Sequence, residues 1–142
     1  MTGYRSGFVV ADAELIAAVK QYRPSVGTAP QEFVQRASVS AWNDEEHVER
    51  TRGIYRRKRE ALLPSLARKG IRVAGSDATM YLWLETPPGE GAEPLAERLL
   101  EHGLIVSPGT FFGPSGDGYW RLALVPTEAE CKRAAEILEQ VL

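Results

Sequence analysis

Pro108-Gly109-Thr110-Phe111-Phe112-Gly113-Pro114, followed after Ser115-Gly116-Asp117-Gly118 by Tyr119-Trp120-Arg121-Leu122-Ala123-Leu124-Val125, is the stretch on which the reading of this chain turns. The first segment is a loop punctuated by glycine and proline and carrying two aromatic rings. The second is an apolar strand with one charged residue set inside it. An arginine buried in a strand needs an anionic partner, because an unpaired charge in an apolar interior is strongly unfavourable. From the residues alone three readings of Arg121 stand side by side. It is a two-pronged clamp for a ligand carboxylate, one half of an internal salt bridge, or a side chain on the wet face of a half-exposed strand. Gly109, Phe112 and Gly113 belong to a loop type that builds pocket walls and lids, and equally to one that merely connects.

Outward from this stretch the periodicities assign the rest. Thr127-Glu128-Ala129-Glu130 is a capping box for a last helix that turns Cys131, Ala134, Ala135, Leu138 and Val141 inward. In the other direction, Leu104-Ile105-Val106 reads as a short strand and Glu93 to His102 as a helix closed by Gly103. Ala78 to Glu85 alternates, with Met80, Leu82 and Leu84 on one face and Tyr81 and Trp83 on the other. Asn43-Asp44-Glu45-Glu46 opens a helix expected to reach Lys69, with Gly70 as its left-handed terminator and Pro64 expected to kink or split it. Pro30 suits the first position of a helix to Trp42. Asp12 caps a helix carrying Leu15, Ile16, Val19 and Tyr22, which Arg23-Pro24 should stop. Tyr4 to Ala11 ends in the apolar run Phe8-Val9-Val10-Ala11, which suits a buried strand.

The resulting order is strand, three helices, strand, helix, strand, strand, helix, an α/β or α+β arrangement with a small sheet covered by helices. The first strand is separated from the others by a long helical stretch and reads as part of a different sheet. An apolar strand without neighbours is an aggregation hazard.

Composition narrows the function. The chain has 142 residues, 44% of them hydrophobic and 25% charged, enough for one cored domain or for one domain plus part of another. A net charge of −2 and a pI near 5.8 give no general electrostatic reason to bind nucleic acid or an anionic membrane. The basic run Arg50, Arg52, Arg56, Arg57, Lys58 and Arg59 is interleaved with apolar residues and flanked by Glu46, Glu49 and Glu60, as on a solvated helix face laced with ion pairs. One cysteine, Cys131, allows neither an internal disulfide nor a cysteine-based zinc site, and His47 and His102 lack a second ligand at metal spacing, so no metal is expected. Met1-Thr2-Gly3-Tyr4-Arg5 has no signal-peptide character and no apolar run approaches a membrane span. A cytoplasmic location is the expectation.

A second chemical candidate is Thr2-Gly3-Tyr4-Arg5-Ser6-Gly7, where glycines bring backbone close to a ligand and Arg5 offers a planar fork suited to phosphate. The plain alternative is a strand-entry turn with a surface arginine. Asp77, Tyr81 and Ser107 are further residues able to touch a ligand, each also ordinary in a turn or strand.

Together these residues resemble the class I/II aminotransferases of the fold-type I pyridoxal-phosphate family, over essentially the whole chain. Thr2-Gly3-Tyr4-Arg5-Ser6-Gly7-Phe8 is similar to the segment that follows the Schiff-base lysine there, and the resemblance gives Arg5, with Gly3, the cofactor phosphate. Pro108 to Gly113 resembles that family's substrate-side loop, placing Gly109, Phe112 and Gly113 at the substrate. Arg121 matches the arginine that holds the substrate α-carboxylate. The resemblance also implies a homodimer, with residues 28–31 approaching the partner subunit's cofactor. It implies the small C-terminal domain of that fold over residues 31–142, including the long linking helix, and a detached strand and helix of the large cofactor domain over residues 1–30.

The wording Arg23-Pro24-Ser25-Val26-Gly27, Pro30-Gln31-Glu32-Phe33-Val34-Gln35-Arg36 and Ala78-Thr79-Met80-Tyr81-Leu82-Trp83 resembles N-succinyldiaminopimelate aminotransferases of bacterial lysine synthesis. The resemblance implies amino transfer between glutamate/2-oxoglutarate and a succinylated diaminopimelate. Lys20, Lys58, Lys69 and Lys132 all lie outside the motif that would carry the cofactor. The polypeptide alone is therefore expected to retain little or no pyridoxal phosphate and to be inactive. Two alternatives accompany this reading: another fold-type I enzyme, such as a different amino-acid aminotransferase or a β-lyase, and a non-catalytic dimerisation or binding remnant.

Overall fold

The computed structural model describes every residue except Met1 and Thr28, and every side chain except those two and Thr2. The chain divides into two units, Met1–Glu49 and Arg50–Leu142.

In the first unit a 3-10 turn over Thr2–Tyr4 precedes α1 (Ala13–Val26) and α2 (Glu32–Trp42), and α3 (Glu45–Arg68) begins. Asp12 caps α1 by accepting from the Leu15 amide at 3.0 Å. Asp44 accepts from the His47 amide at 3.1 Å and starts α3. Residues 5–12 form no strand, contrary to expectation, and Phe8, Val9 and Val10 are largely exposed. A strand exists only by pairing, and no strand of this unit lies beside them. The apolar stripe of α1 likewise meets no core: Leu15 and Tyr22 are exposed and no described residue of the helix is buried. The Phe8 and Trp42 rings make an edge-to-face contact with centroids 4.8 Å apart.

Neither Pro24, expected to stop a helix, nor Pro64 interrupts the helix it sits in. α1 runs through Pro24 to Val26, where the Gly27 amide donates to Arg23 O at 3.0 Å, and α3 runs on through Pro64. Each proline deprives one carbonyl, on Lys20 and Glu60, and both residues are exposed, so water can replace the lost donor.

The second unit holds the core. After α3 come β1 (Val73–Gly75), β2 (Tyr81–Glu85), α4 (Ala92–Glu101), β3 (Ser107–Pro108), β4 (Tyr119–Ala123) and α5 (Glu128–Val141). The four strands form one antiparallel sheet in the order β1-β2-β4-β3. Leu82 and Leu84 of β2 and Trp120 and Leu122 of β4 are buried on one face, against Leu62 and Leu66 of α3, Leu95 and Leu99 of α4 and Leu138 of α5. Trp120 is fully buried and its indole N–H donates to Glu85 O at 3.0 Å.

Both helix ends predicted at glycine are Schellman turns. Gly70 (φ 69°) lets the Ile71 amide reach Leu66 O at 2.9 Å, and Gly103 (φ 81°) lets the Leu104 amide reach Leu99 O at 2.9 Å. The second turn explains a missed strand. The Leu104 amide is spent on α4, so pairing starts at Ser107–Pro108 rather than at residues 104–106. Thr127 and Glu130 form the predicted capping box.

The basic face of α3 is only partly the ion-paired surface expected. Arg57 pairs with Glu128 at 3.1 Å and Arg68 pairs with Glu139, but Lys58 is buried. Its ammonium donates to Leu124 O at 3.1 Å and Val125 O at 3.3 Å and lies 5.2 Å from the Tyr55 ring centre.

The resolved carboxylate shifts in this unit run one way. Arg72 holds Glu85 below the usual carboxylate range, Lys132 and Arg57 hold Glu128 there, Thr127 holds Glu130, and Arg68 with Ser65 holds Glu139. A depressed folded pKa contributes stability that is present above the unfolded value and is lost as pH falls through the folded one. The thermal midpoint is therefore expected to be flat near neutrality and to drop as pH falls below about 4. Scanning calorimetry from pH 7 to pH 2.5 checks this, and a midpoint rising on acidification contradicts it.

Candidate functional site

The site forms on the sheet face away from the core. In β4 the alternation that buries Trp120 and Leu122 turns Tyr119 and Arg121 to the opposite side, and the register sets Arg121 beside Trp83 of β2 and Ser107 of β3. Arg121 is thus on a central strand with a neighbour at either flank. Its guanidinium lies 4.3 Å from the Tyr81 ring centre and 4.5 Å from that of Phe112, held between two aromatic faces. Ser107 Oγ accepts from Nη2 at 3.3 Å, a long contact to a neutral oxygen. No carboxylate lies within salt-bridge distance of Arg121 among the described residues, and its Nε is buried without a hydrogen-bond partner. Leaving a buried donor unmade costs ~1–3 kcal/mol, more for a charged group, and a bound carboxylate would satisfy it.

The loop expected to wall the pocket does so through its backbone. Residues 109–112 make a 3-10 turn that brings Phe112 over Arg121 and edge-on to Trp83, with centroids 5.6 Å apart. Gly113 has φ 107° with ψ 177°, a conformation open essentially to glycine alone. Gly109 is packed against backbone: a methyl there would lie 2.0 Å from Gly116 O and 2.6 Å from Tyr119 O. Thr110 donates to Glu93 on α4, which anchors the loop from outside and holds the Glu93 carboxyl below its ordinary range.

Gly109, Phe112, Gly113 and Arg121 are therefore brought together, joined by Tyr81 and Ser107, while Asp77 lies in a separate cleft. Two contributors went unread in the sequence. Trp83 shares the Tyr81 face of β2, stacks on Tyr119 (centroids 5.7 Å apart, planes at 17°) and touches Phe112; its position opposite Arg121 was the available signal, but only once strand register is known. Gly116 is the other half of the Gly109 contact, for which local sequence holds no signal.

Arg5 and Gly3 lie in the first unit. Arg5 is exposed with φ 52°, a left-handed conformation uncommon outside glycine, and Gly3 has open space where a side chain would stand. As a donor set this fits one part of pyridoxal phosphate, its phosphate, and forms no enclosed cradle for the ring. Of residues 28–31, Thr28 lies outside the described residues, and Pro30 O accepts from Gln35 Nε2 at 2.8 Å. Among the described residues no group of three His, Cys, Asp or Glu side chains could hold a metal, and no helix is long and apolar enough to cross a membrane.

A small antiparallel sheet backed by helices, with an unpaired arginine held between aromatic rings, has the architecture of part of a fold-type I aminotransferase. The comparisons agree. The family model for aminotransferases of class I and II matches residues 1–138, and the chain belongs to that family. A probable aminotransferase of Mycobacterium tuberculosis is 40% identical over 128 residues, 90% of this chain and 30% of that protein. The LL-diaminopimelate aminotransferase of Aquifex aeolicus is 36% identical over 140 residues, 96% of this chain and 36% of its own length.

Among solved structures, a probable N-succinyldiaminopimelate aminotransferase of Thermus thermophilus superposes with a TM-score of 0.81 at 30% identity, covering 91% of this chain and 35% of that one. The aspartate aminotransferase of the same organism, solved with maleate, gives 0.85 at 33% identity, covering 100% and 38%. The chain thus spans about a third of the length of the curated relatives it matches.

Proposed function

We propose that this chain supplies the substrate-carboxylate half of a pyridoxal-phosphate aminotransferase that moves an amino group between glutamate/2-oxoglutarate and a diaminopimelate derivative, N-succinylated by preference. The observation that carries the reading is Arg121, a half-buried guanidinium with an unpartnered Nε between two aromatic rings. Arg121 receives the α-carboxylate, Tyr81 and Phe112 hold its planar fork in place and exclude water, and Ser107 steadies one Nη. The backbone around Gly109 and Gly113 shapes the wall beside it. Arg5, next to Gly3, contacts the cofactor phosphate. The cofactor, when bound, supplies the electron sink at the amino-bearing carbon, and the residues of this chain bind and orient.

Residues 1–30 belong, on this proposal, to the cofactor domain and residues 31–142 to the small domain, in a cytoplasmic homodimer. Diaminopimelate relatives support the substrate, and likeness to an aspartate aminotransferase that accommodates maleate, a dicarboxylate, favours a second reading with a shorter acidic substrate.

The test is a substrate panel. A holoenzyme carrying this segment is assayed with N-succinyl-LL-diaminopimelate, LL-diaminopimelate and aspartate, each against 2-oxoglutarate. A kcat/KM at least tenfold higher for the succinylated compound supports the first reading; a preference for aspartate replaces it with the second. The 142-residue polypeptide by itself is expected to show no turnover and no borohydride-trapped cofactor on any lysine. A trapped adduct at one defined lysine with measurable transamination overturns that expectation.

A further inference from the structure

We infer that the cleft between the first half of α3 and the turn 76–80 is a second anion site, for a small molecule bearing several carboxylate or phosphate charges. It is separate from the ligand at Arg121 and does not depend on the transamination reading. The cleft has a volume of about 550 Å³ and is lined by Arg52, Arg56 and Arg59 together with Asp77 and the side chains of Tyr55 and Tyr81. Positions 52, 56 and 59 fall on one face of a helix, so three guanidiniums point to the same side.

The weight rests on Arg56 and Arg59. Arg56 is exposed to the cleft and makes no hydrogen bond or ion pair among the described residues. Arg59 is fixed in place, with Nε donating to Ser76 Oγ at 2.8 Å and Nη2 to Thr79 O at 2.7 Å. Ser76 is buried and in turn donates to Tyr81 O at 3.0 Å, so the support of Arg59 is itself held. Both acceptors are neutral. The arginine is therefore oriented without being neutralised, which is the preorganised state an anion needs. Asp77 is the one acidic residue in the lining, and no ion pair joins it to Arg56 or Arg59.

Two other arginines of α3 are paired with acids: Arg57 meets Glu128 and Arg68 meets Glu139. Arg56 and Arg59 line the cleft without an acidic partner. Its volume is that of small-molecule sites, roughly 300–1,000 Å³, rather than of a polymer track. The rings of Tyr55 and Tyr81 provide apolar wall for a carbon skeleton. Tyr81 is also a shared wall, because its ring packs on Arg121 at 4.3 Å.

The experiment is calorimetric titration of the 142-residue chain at low salt with citrate, with pyrophosphate and with a 20-base-pair DNA duplex. Variants Arg56→Gln, Arg56→Lys, Arg121→Gln and Arg133→Gln follow, each checked for fold by circular dichroism. Arg56 supports no other group, so its variants retain the fold. In the Arg121→Gln background, where the carboxylate clamp is gone, one saturable site for citrate or pyrophosphate is expected to remain, weakened at least tenfold by adding Arg56→Gln, less by Arg56→Lys, and within twofold when Arg133→Gln is added instead. Tighter citrate assigns a polycarboxylate ligand, and tighter pyrophosphate a phosphate ester. Three results overturn the site: no saturable binding of either small anion, binding indifferent to Arg56→Gln, or binding of the duplex alone. Because Arg121→Gln leaves this binding in place, failure here is distinguishable from failure of the carboxylate clamp.

Discussion

Arg121→Gln, in a holoenzyme carrying this segment, is expected to lose roughly 30-fold to 5,000-fold in kcat/KM for α-amino acids. Removing one partner of a desolvated, hydrogen-bonded charge pair costs ~2–5 kcal/mol, and each 1.36 kcal/mol is tenfold in rate. Glutamine keeps much of the volume between Tyr81 and Phe112 but loses both the charge and the fork. Arg121→Lys keeps the charge alone and should fall between parent and glutamine variant. An amine substrate without a carboxylate supplies the control, since its slow reaction should be indifferent to the change. Steady-state kinetics on the three proteins decides the matter. Equal kcat/KM for α-amino acids in parent and Arg121→Gln would remove Arg121 from substrate recognition.

Gly109→Ala is the other large effect, expected on stability. The added methyl would stand 2.0 Å from Gly116 O and 2.6 Å from Tyr119 O, both backbone atoms that no side-chain rotation can clear. Relief requires displacing the 109–112 turn or the entry to β4, and with it Phe112 from Arg121. A cost of about 3 kcal/mol or more is expected, at the upper end for overpacking, which lowers the thermal midpoint by roughly 10 °C. Gly89→Ala separates crowding from backbone strain, because Gly89 also has a left-handed φ of 82° but faces open space. It should cost only ~1–2 kcal/mol. Thermal melts of the two variants test this, and equal midpoints would mean that the Gly109–Gly116 approach is not kept in solution.

The legible parts of this protein are those written in neighbouring residues. Asp12, Asp44 and the Thr127–Glu130 box start helices because a cap is a contact three residues long. Gly70 and Gly103 end helices because one left-handed residue suffices. Alternation in 78–85 separated Leu82 and Leu84 from Tyr81 and Trp83, since side chains change sides at every residue. The motif around Arg121 pointed to a carboxylate by the rule that a charge among apolar residues must be paired.

What escaped was settled at a distance. Residues 5–11 are apolar enough for a strand and are none, because a strand is a relation to a neighbour. β1 carries only Val73, Ala74 and Gly75, too little pattern to announce itself, and exists because β2 offers an edge. Pro24 and Pro64 stay in their helices because the carbonyls they orphan are on exposed residues, a fact of burial rather than of the X-Pro pair.

The sequence by itself determined which residues cap, which terminate and which face inward, and it singled out Arg121 by chemical type. Only the tertiary structure decided that Arg121 would stand between Tyr81 and Phe112 with Nε unmet, beside a Trp83 brought opposite by strand register. It likewise decided that Arg56 and Arg59 would face one cleft with no ion pair to its one acid, Asp77. Local propensity acts over a turn or a pleat, whereas register, burial and charge compensation depend on segments tens of residues apart meeting in one fold.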